Sequence, residues 1–229
     1  MGPRRERSIS RREGHWRSVL GAGVMVGVIL LLAACEDSVR GTGMNVNEQR
    51  DLPEFTELSV NGTLSAEVTI GSPQSVTVSG DSNIVPLIRT EVRSGRLVVE
   101  PRNRFRSDPP VRVVITVAQL GWAGATGALS ITVTGLRTES FTVRASGAST
   151  IRAAGSADRL DAEASGASRL RLEDVNARDA RVDASGASSI DLQVSSTLEG
   201  DASGASSIRY GGSPQVNVKS SGASSVRNR

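Results

Sequence analysis

Apolar and polar positions alternate around a glycine that recurs through the second half of the chain. The residue four places after each glycine is aliphatic, and the residue five places after it is polar. Small residues stand two places before the glycine, and mostly charged residues stand three places before it. Alternation with a period of two residues indicates β-strands with one buried face. The recurring glycines are Gly127, Gly147, Gly166, Gly186, Gly204 and Gly222.

The spacing of these glycines predicts how the strands are arranged. Steps of 18–20 residues that carry strand patterning are typical of a solenoid. One coil per repeat gives an all-β fold, a single-stranded parallel β-helix whose coils have about 18–20 residues and stack about 4.8 Å apart. A leucine-rich repeat has a similar period, but the several leucines and the asparagine that it needs in each repeat are absent.

The repeated corner reads Ala-Ser-Gly-Ala-Ser, with small variations. Its glycine permits a backbone corner that other residues would resist. The serine two places later could form hydrogen bonds between coils, and the pattern leaves open whether its hydroxyl lies inside or outside. These serines are Ser149, Ser168, Ser188, Ser206 and Ser224.

Shorter strand patterns precede the repeats. Apolar residues alternate from Phe55 to Val60, and the following Asn61-Gly62 is a strong turn signal. Gly95 predicts a hairpin or a bulge. Residues 101–110 are basic and contain three prolines, so we expect an exposed excursion. Its arginines surround Phe105 and could bind an anionic surface, although a solvated loop is the preferred interpretation.

The N-terminus has the pattern of an export signal. A basic segment precedes 14 apolar residues, Val19–Leu32, which is short for a membrane span. The sequence Leu32-Ala33-Ala34-Cys35 is similar to a bacterial lipobox, in which the cysteine thiol takes a diacylglyceryl group. A plain signal peptide or a short anchor helix is the alternative. We predict a lipoprotein signal peptide over 1–34, lipidation of Cys35 and a tether over 35–51, before the β-helical domain over 52–229.

Charge and composition exclude several classes of function. Six of the 27 basic and two of the 24 acidic residues lie in positions 1–34, which leaves 21 and 22 for the rest. The high pI therefore gives no reason to expect nucleic-acid binding by the mature chain. The single histidine is His15 and the single cysteine is Cys35. Serine–histidine or cysteine–histidine catalysis, histidine or cysteine zinc sites, disulfides and a cofactor are therefore not expected in the body.

One column of the repeat contains three acids, Glu163, Asp183 and Asp201, which would lie above one another in the stacked coils. They are candidates for surface binding of a cation or a polysaccharide. A solvated surface is the simpler interpretation, because the column begins with Arg144 and ends with Lys219.

Taken together, the motifs resemble a known family, the auto-transporter adhesin head domain, also called the head GIN domain. The resemblance spans residues 55–226. It rests on Phe55-x-x-Leu58-x-Val60-x-Gly62, Val76-x-Val78-x-Gly80-Asp81-x-Asn83, Leu97-x-Val99, Val113-x-Ile115-x-Val117 and the Ser-Gly-Ala-Ser repeats. The family implies a β-helical fold in secreted or lipid-anchored bacterial proteins, and it implies no catalytic residues.

The expected function is a non-enzymatic lipoprotein of the bacterial cell envelope, periplasmic or surface-exposed, that presents a β-helical surface for binding or adhesion. Its expected partners are the membrane, through the lipid on Cys35, and an envelope glycan or protein. The alternative is a carbohydrate-active β-helix, a lyase or hydrolase that uses the acidic column. The ligand, the membrane leaflet and the oligomeric state are left open by the sequence.

Overall fold

The computed structural model describes Gly2 and residues 38–229. The chain divides after Asp37, and the second unit, Ser38–Arg229, is compact. Apart from Gly2, the predicted signal peptide lies outside the described residues, as does Cys35. Within the described part of the chain, no helix is both apolar enough and long enough to cross a membrane.

The second unit is built from strands and one 3-10 turn, Val85–Leu87. Its 17 described strands are β1 (Val39–Arg40), β2 (Asn45–Arg50), β3 (Glu57–Gly62), β4 (Ser65–Ile70), β5 (Ser75–Asp81), β6 (Ile88–Arg93), β7 (Arg96–Pro101), β8 (Phe105–Arg106), β9 (Arg112–Val117), β10 (Trp122–Gly127), β11 (Ser130–Gly147), β12 (Thr150–Ala164), β13 (Arg169–Ala184), β14 (Ser189–Ala202), β15 (Ser207–Gly211), β16 (Gln215–Ser220) and β17 (Ser225–Asn228).

From β10 onward the strands stack in parallel as a β-solenoid of about five turns, which confirms the predicted fold. Each long strand contributes to two faces of the solenoid, which belong to one continuous sheet. Face A contains the segment before each corner glycine, as in residues 142–147 and 179–184. Face B contains the segment after it, as in residues 130–133 and 150–153. The strands after Gly204 are shorter and follow the same order.

The predicted aliphatic ladder forms the centre of the core. Ile131, Ile151, Leu170, Ile190 and Ile208 are paired in register along face B and are fully buried. Burial of each such side chain contributes about 1.5–3 kcal/mol. The sixth member, Val226, is only half-buried because β17 pairs on one side alone.

The corner glycines stack as a second column, and they require glycine for two reasons. From Gly147 to Gly222 their φ angles lie between +70° and +75°, in the left-handed region. A Cβ on any of these five would lie 2.7–2.9 Å from the carbonyl oxygen of the glycine in the preceding coil. That oxygen accepts a hydrogen bond of 2.8 Å from the residue that follows the corner glycine of the next coil. For example, the amide of Ala187 donates to the carbonyl oxygen of Gly166.

The corner serines have hydroxyls that lie inside, which answers the question left open by the sequence. Ser149, Ser168, Ser188 and Ser206 are almost completely buried. Each hydroxyl donates to a backbone carbonyl of the preceding coil, as from Ser168 to Ala145 at 3.0 Å. The serine column therefore joins neighbouring coils through side chain to backbone hydrogen bonds.

The coils differ in length away from this corner. The pairing register between β11 and β12 shifts between Val133 and Leu136, and that between β13 and β14 shifts between Leu172 and Asn176 and again between Ala177 and Asp179. The differences in length therefore fall away from the glycine corner, which keeps its geometry in coils of 18–20 residues.

The region before β10 departs from a simple β-helix. The turn signal at Asn61-Gly62 lies where β3 ends, but β3 and β4 do not pair with each other, and Gly62 aligns with the corner column. Antiparallel pairs occur instead between β2 and β5, between β5 and β9, and between β6 and β7. The β6–β7 pair confirms the hairpin indicated by Gly95.

Two segments outside the repeat are more structured than expected. Residues 45–50, in the predicted tether, pair along their whole length with β5, so this part of the tether belongs to the folded unit. The excursion over 101–110 is largely exposed, as expected. Within it, however, Phe105 and Arg106 pair with Val39 and Arg40, and the Phe105 ring packs against the core.

Candidate functional site

Face A carries the acidic column that the sequence singled out. The register pairs Glu163 with Asp183, and Asp183 with Asp201, so the three acids lie in successive coils as predicted. Arginines are also close to two of them. The Arg144 Nε lies 3.2 Å from the Glu163 carboxylate, and the Arg181 Nε lies 3.4 Å from the Asp183 carboxylate. The column is therefore a mixed-charge surface, and its role in binding stays a prediction.

Asp179, a further acid of face A, forms a hydrogen bond and an ion pair with its neighbours. The Thr197 hydroxyl donates to Asp179 at 2.7 Å, and the Arg178 Nε lies 2.9 Å from the other carboxylate oxygen. The hydrogen bond from Thr197, followed by that from Arg178, lowers the pKa of Asp179 below its ordinary value. Across the described residues, no three acidic, histidine or cysteine side chains are grouped so as to hold a metal ion.

An aromatic stack stands at the N-terminal end of face A, and the sequence patterns did not predict it. The Trp122 indole lies over Gly124, where a Cβ would collide with the ring. The guanidinium carbon of Arg96 lies 4.0 Å from the ring centroid, within the range of a cation–π contact. Glu57 accepts from Arg96 at 2.7 Å and holds the guanidinium in place. Only the strand order β7-β3-β10 brings these residues together.

This stack borders a small cavity of about 200 Å³ on the same face. The cavity is lined by Trp122, by the Arg144–Glu163 ion pair and by several hydroxyl groups. Glu163, a predicted site residue, thus lines a cavity next to an aromatic ring. The hydroxyl-bearing residues are Ser59, Thr126, Ser146 and Ser165.

A larger groove of about 570 Å³ crosses four successive coils at the bend that leads into face A. Ala157 and Ala177 lie in it, and their small side chains leave space for a ligand. Its volume is within the range of small-molecule sites, but its lining is mainly polar. One rim is a stacked column of Arg137, Ser156, Asn176 and Gln193.

Stacked coils with polar outer faces over an apolar core define a β-solenoid domain. The chain belongs to the family described as "Putative auto-transporter adhesin, head GIN domain", whose pattern matches residues 54–214. This confirms the family to which the sequence motifs were compared. An adhesin family supports a non-enzymatic, adhesin-like role and a location at the bacterial cell envelope or surface.

Three solved structures of bacterial proteins share this fold. A protein described as a putative adhesin from Bacteroides fragilis has a TM-score of 0.71 at 16% identity, over 84% of this chain and all of that one. Another putative adhesin, from Parabacteroides merdae, has a TM-score of 0.58 at 16% identity, over 84% of this chain and 99% of that one.

A third structure, described as a putative lipid binding protein from Parabacteroides distasonis, has a TM-score of 0.50 at 17% identity, over 84% of this chain and all of that one. At these identities the three likenesses establish the fold. No curated protein matches the chain.

Proposed function

We propose that this protein is a non-enzymatic lipoprotein of the bacterial cell envelope that uses the outer faces of its β-solenoid for binding or adhesion. The observation that carries the proposal is the regular stacking of polar side chains on faces A and B over an apolar core. Such stacking repeats similar contact groups at about 4.8 Å, which suits ligands that are themselves repetitive.

Attachment to the membrane forms part of this proposal. Its support is the basic segment, the 14 apolar residues and the lipobox-like Leu32-Ala33-Ala34-Cys35. The test is mass spectrometry of the N-terminus of the full chain isolated from membrane fractions. We expect cleavage before Cys35 and a mass increase from acyl chains, and a Cys35→Ser variant should lose both. An uncleaved or unmodified N-terminus would overturn the anchor.

Binding is tested with the full chain in detergent on an array of neutral and acidic glycans, together with extracted envelope proteins. We expect retention of a restricted set of ligands, with no chemical change in them. If no glycan and no protein is retained, the proposed function is wrong. If a polysaccharide is instead cleaved, and Asp183→Ala abolishes the cleavage, the carbohydrate-active alternative replaces it.

A further inference from the structure

Face B carries a strip of arginines that a general role in binding or adhesion does not by itself explain. Four of them occupy one column in the register of β12, β13, β15 and β17, and a fifth lies in the adjacent column. We name this set the arginine strip, and it consists of Arg152, Arg171, Arg209, Arg227 and Arg169.

The spacing of the strip is set by the coils. Arg152 and Arg227 are separated by four coil steps, or about 19 Å at 4.8 Å per step. Arg171 is half-buried and the other four arginines are exposed. The strip therefore presents guanidinium groups along the solenoid, accessible to a ligand that lies across several coils.

The positive charge of the strip is only partly neutralised by the protein. Arg152 and Arg171 are direct cross-strand neighbours, an arrangement of like charges that is normally unfavourable. Among the described residues, neither of them nor Arg227 takes part in an ion pair. Asp191 lies within the column, and its hydrogen bond and charge raise the pKa of Arg209, to which Glu173 adds a smaller contribution.

Asp191 gives an example, within the protein itself, of a carboxylate bound by an arginine of this column. Its carboxylate replaces an arginine in the column and is almost completely buried. Arg209 binds it through both oxygens, from Nε at 2.6 Å and from Nη2 at 3.1 Å, and Arg229 approaches to 3.7 Å. Bidentate arginine–carboxylate pairs of this kind combine strength with directional specificity.

Hydroxyl groups line the strip on one side. The adjacent column, which also holds Arg169 between Thr150 and Ser189, contains five hydroxyl side chains two residues from the arginine column and thus about 7 Å away. Hydroxyls both donate and accept hydrogen bonds, as sugar hydroxyls do. These residues are Ser130, Thr150, Ser189, Ser207 and Ser225.

We infer that the arginine strip and its hydroxyl column bind a linear polysaccharide that carries carboxylates, with the chain lying along face B. The inference rests on the proposed binding function and names its ligand class and its surface. Carboxylates of the polymer would occupy positions beside Arg152 and Arg171 that resemble the position of Asp191 beside Arg209. Face A does not fit this ligand, because its columns carry Glu163, Asp183 and Asp201.

The test uses polygalacturonate as the probe and the full chain in detergent, with affinity measured by biolayer interferometry. The variant Arg152→Gln with Arg171→Gln removes two exposed or half-exposed charges from the strip. The matched control, Arg40→Gln with Arg159→Gln, removes two exposed charges elsewhere. We expect the strip variant to bind at least about tenfold more weakly, a modest loss for two charge-assisted contacts, and the control to bind within about twofold of the unaltered chain. Thermal unfolding should be similar for both variants.

Neutral dextran, inorganic polyphosphate and phosphatidylglycerol vesicles serve as competing probes. The inference is supported if polygalacturonate is preferred over all three and if salt weakens its binding. Equal losses in both variants, equal binding of dextran, or a preference for polyphosphate or vesicles would overturn it. If polygalacturonate fails while the array retains another ligand, this inference fails but the proposed function stands. If nothing is retained, both fail.

Discussion

Replacing Gly186 by alanine separates the two reasons for glycine at the coil corner. The φ angle of Gly186 is +71°, and a left-handed conformation costs an alanine about 1–2 kcal/mol. The new Cβ would lie 2.7 Å from the Gly166 oxygen, where ordinary contact begins at 3.4 Å, so the coils must shift by several tenths of an ångström. Overpacking of this kind costs about 1–3 kcal/mol. We expect the free energy of unfolding to fall by about 2–5 kcal/mol in total.

Gly95→Ala is the matched control for this prediction. Gly95 has a similar φ of +76°, but no atom lies within 4 Å of its added Cβ. Only the conformational cost of about 1–2 kcal/mol should appear. Both variants and the unaltered chain are compared by urea unfolding, followed by far-ultraviolet circular dichroism. If Gly186→Ala is destabilised no more than Gly95→Ala, close stacking of the corners is not what excludes side chains there.

Other substitutions test the hydrogen bonds, the core and the electrostatics of the coils. Ser188→Ala removes a buried hydroxyl that donates at 3.0 Å and should lower the free energy of unfolding by about 1 kcal/mol, whereas the exposed Ser185→Ala should have little effect. Ile190→Ala, at a fully buried position, should cost about 2–5 kcal/mol in the same urea assay. Because the pKa of Asp179 is lowered in the folded chain, its contribution to stability is present above the ordinary aspartate pKa and is lost as the pH falls through the lowered value. Thr197→Ala should therefore raise the pKa of Asp179, measured by a carboxyl NMR titration, and an unchanged pKa would show that the hydroxyl does not stabilise the carboxylate.

The repeat region could be predicted from sequence because its information is arranged in columns. A coil must match the coils above and below it, so the aliphatic positions from Ile131 to Ile208 and the corner glycines could be aligned without coordinates. The same alignment placed Glu163, Asp183 and Asp201 in one column. The stacking of these residues in successive coils follows from the repeat period of the sequence.

Other features required knowledge of which strands pair. Asn61-Gly62 has the composition of a hairpin turn, but its strand pairs with β7 and β10, so the glycine serves as a coil corner. Residues 45–50 are polar and resemble a tether, yet they add an edge strand to β5 through backbone hydrogen bonds that leave little trace in the side chains. The stack of Trp122 on Arg96 joins residues from separate strands with no repeat to align them.

The interchangeable corner has a consequence for how this chain could change during evolution. Neighbouring corners are joined by the same two hydrogen bonds, one to a glycine carbonyl and one from a serine hydroxyl, while the register shifts that reflect differences in coil length lie away from the corner. An in-frame duplication or deletion of one 18–20-residue segment would thus create a junction equivalent to those already present. Genetic recombination could adjust the number of coils, and with it the number of arginines available to a polymer, without redesigning the core.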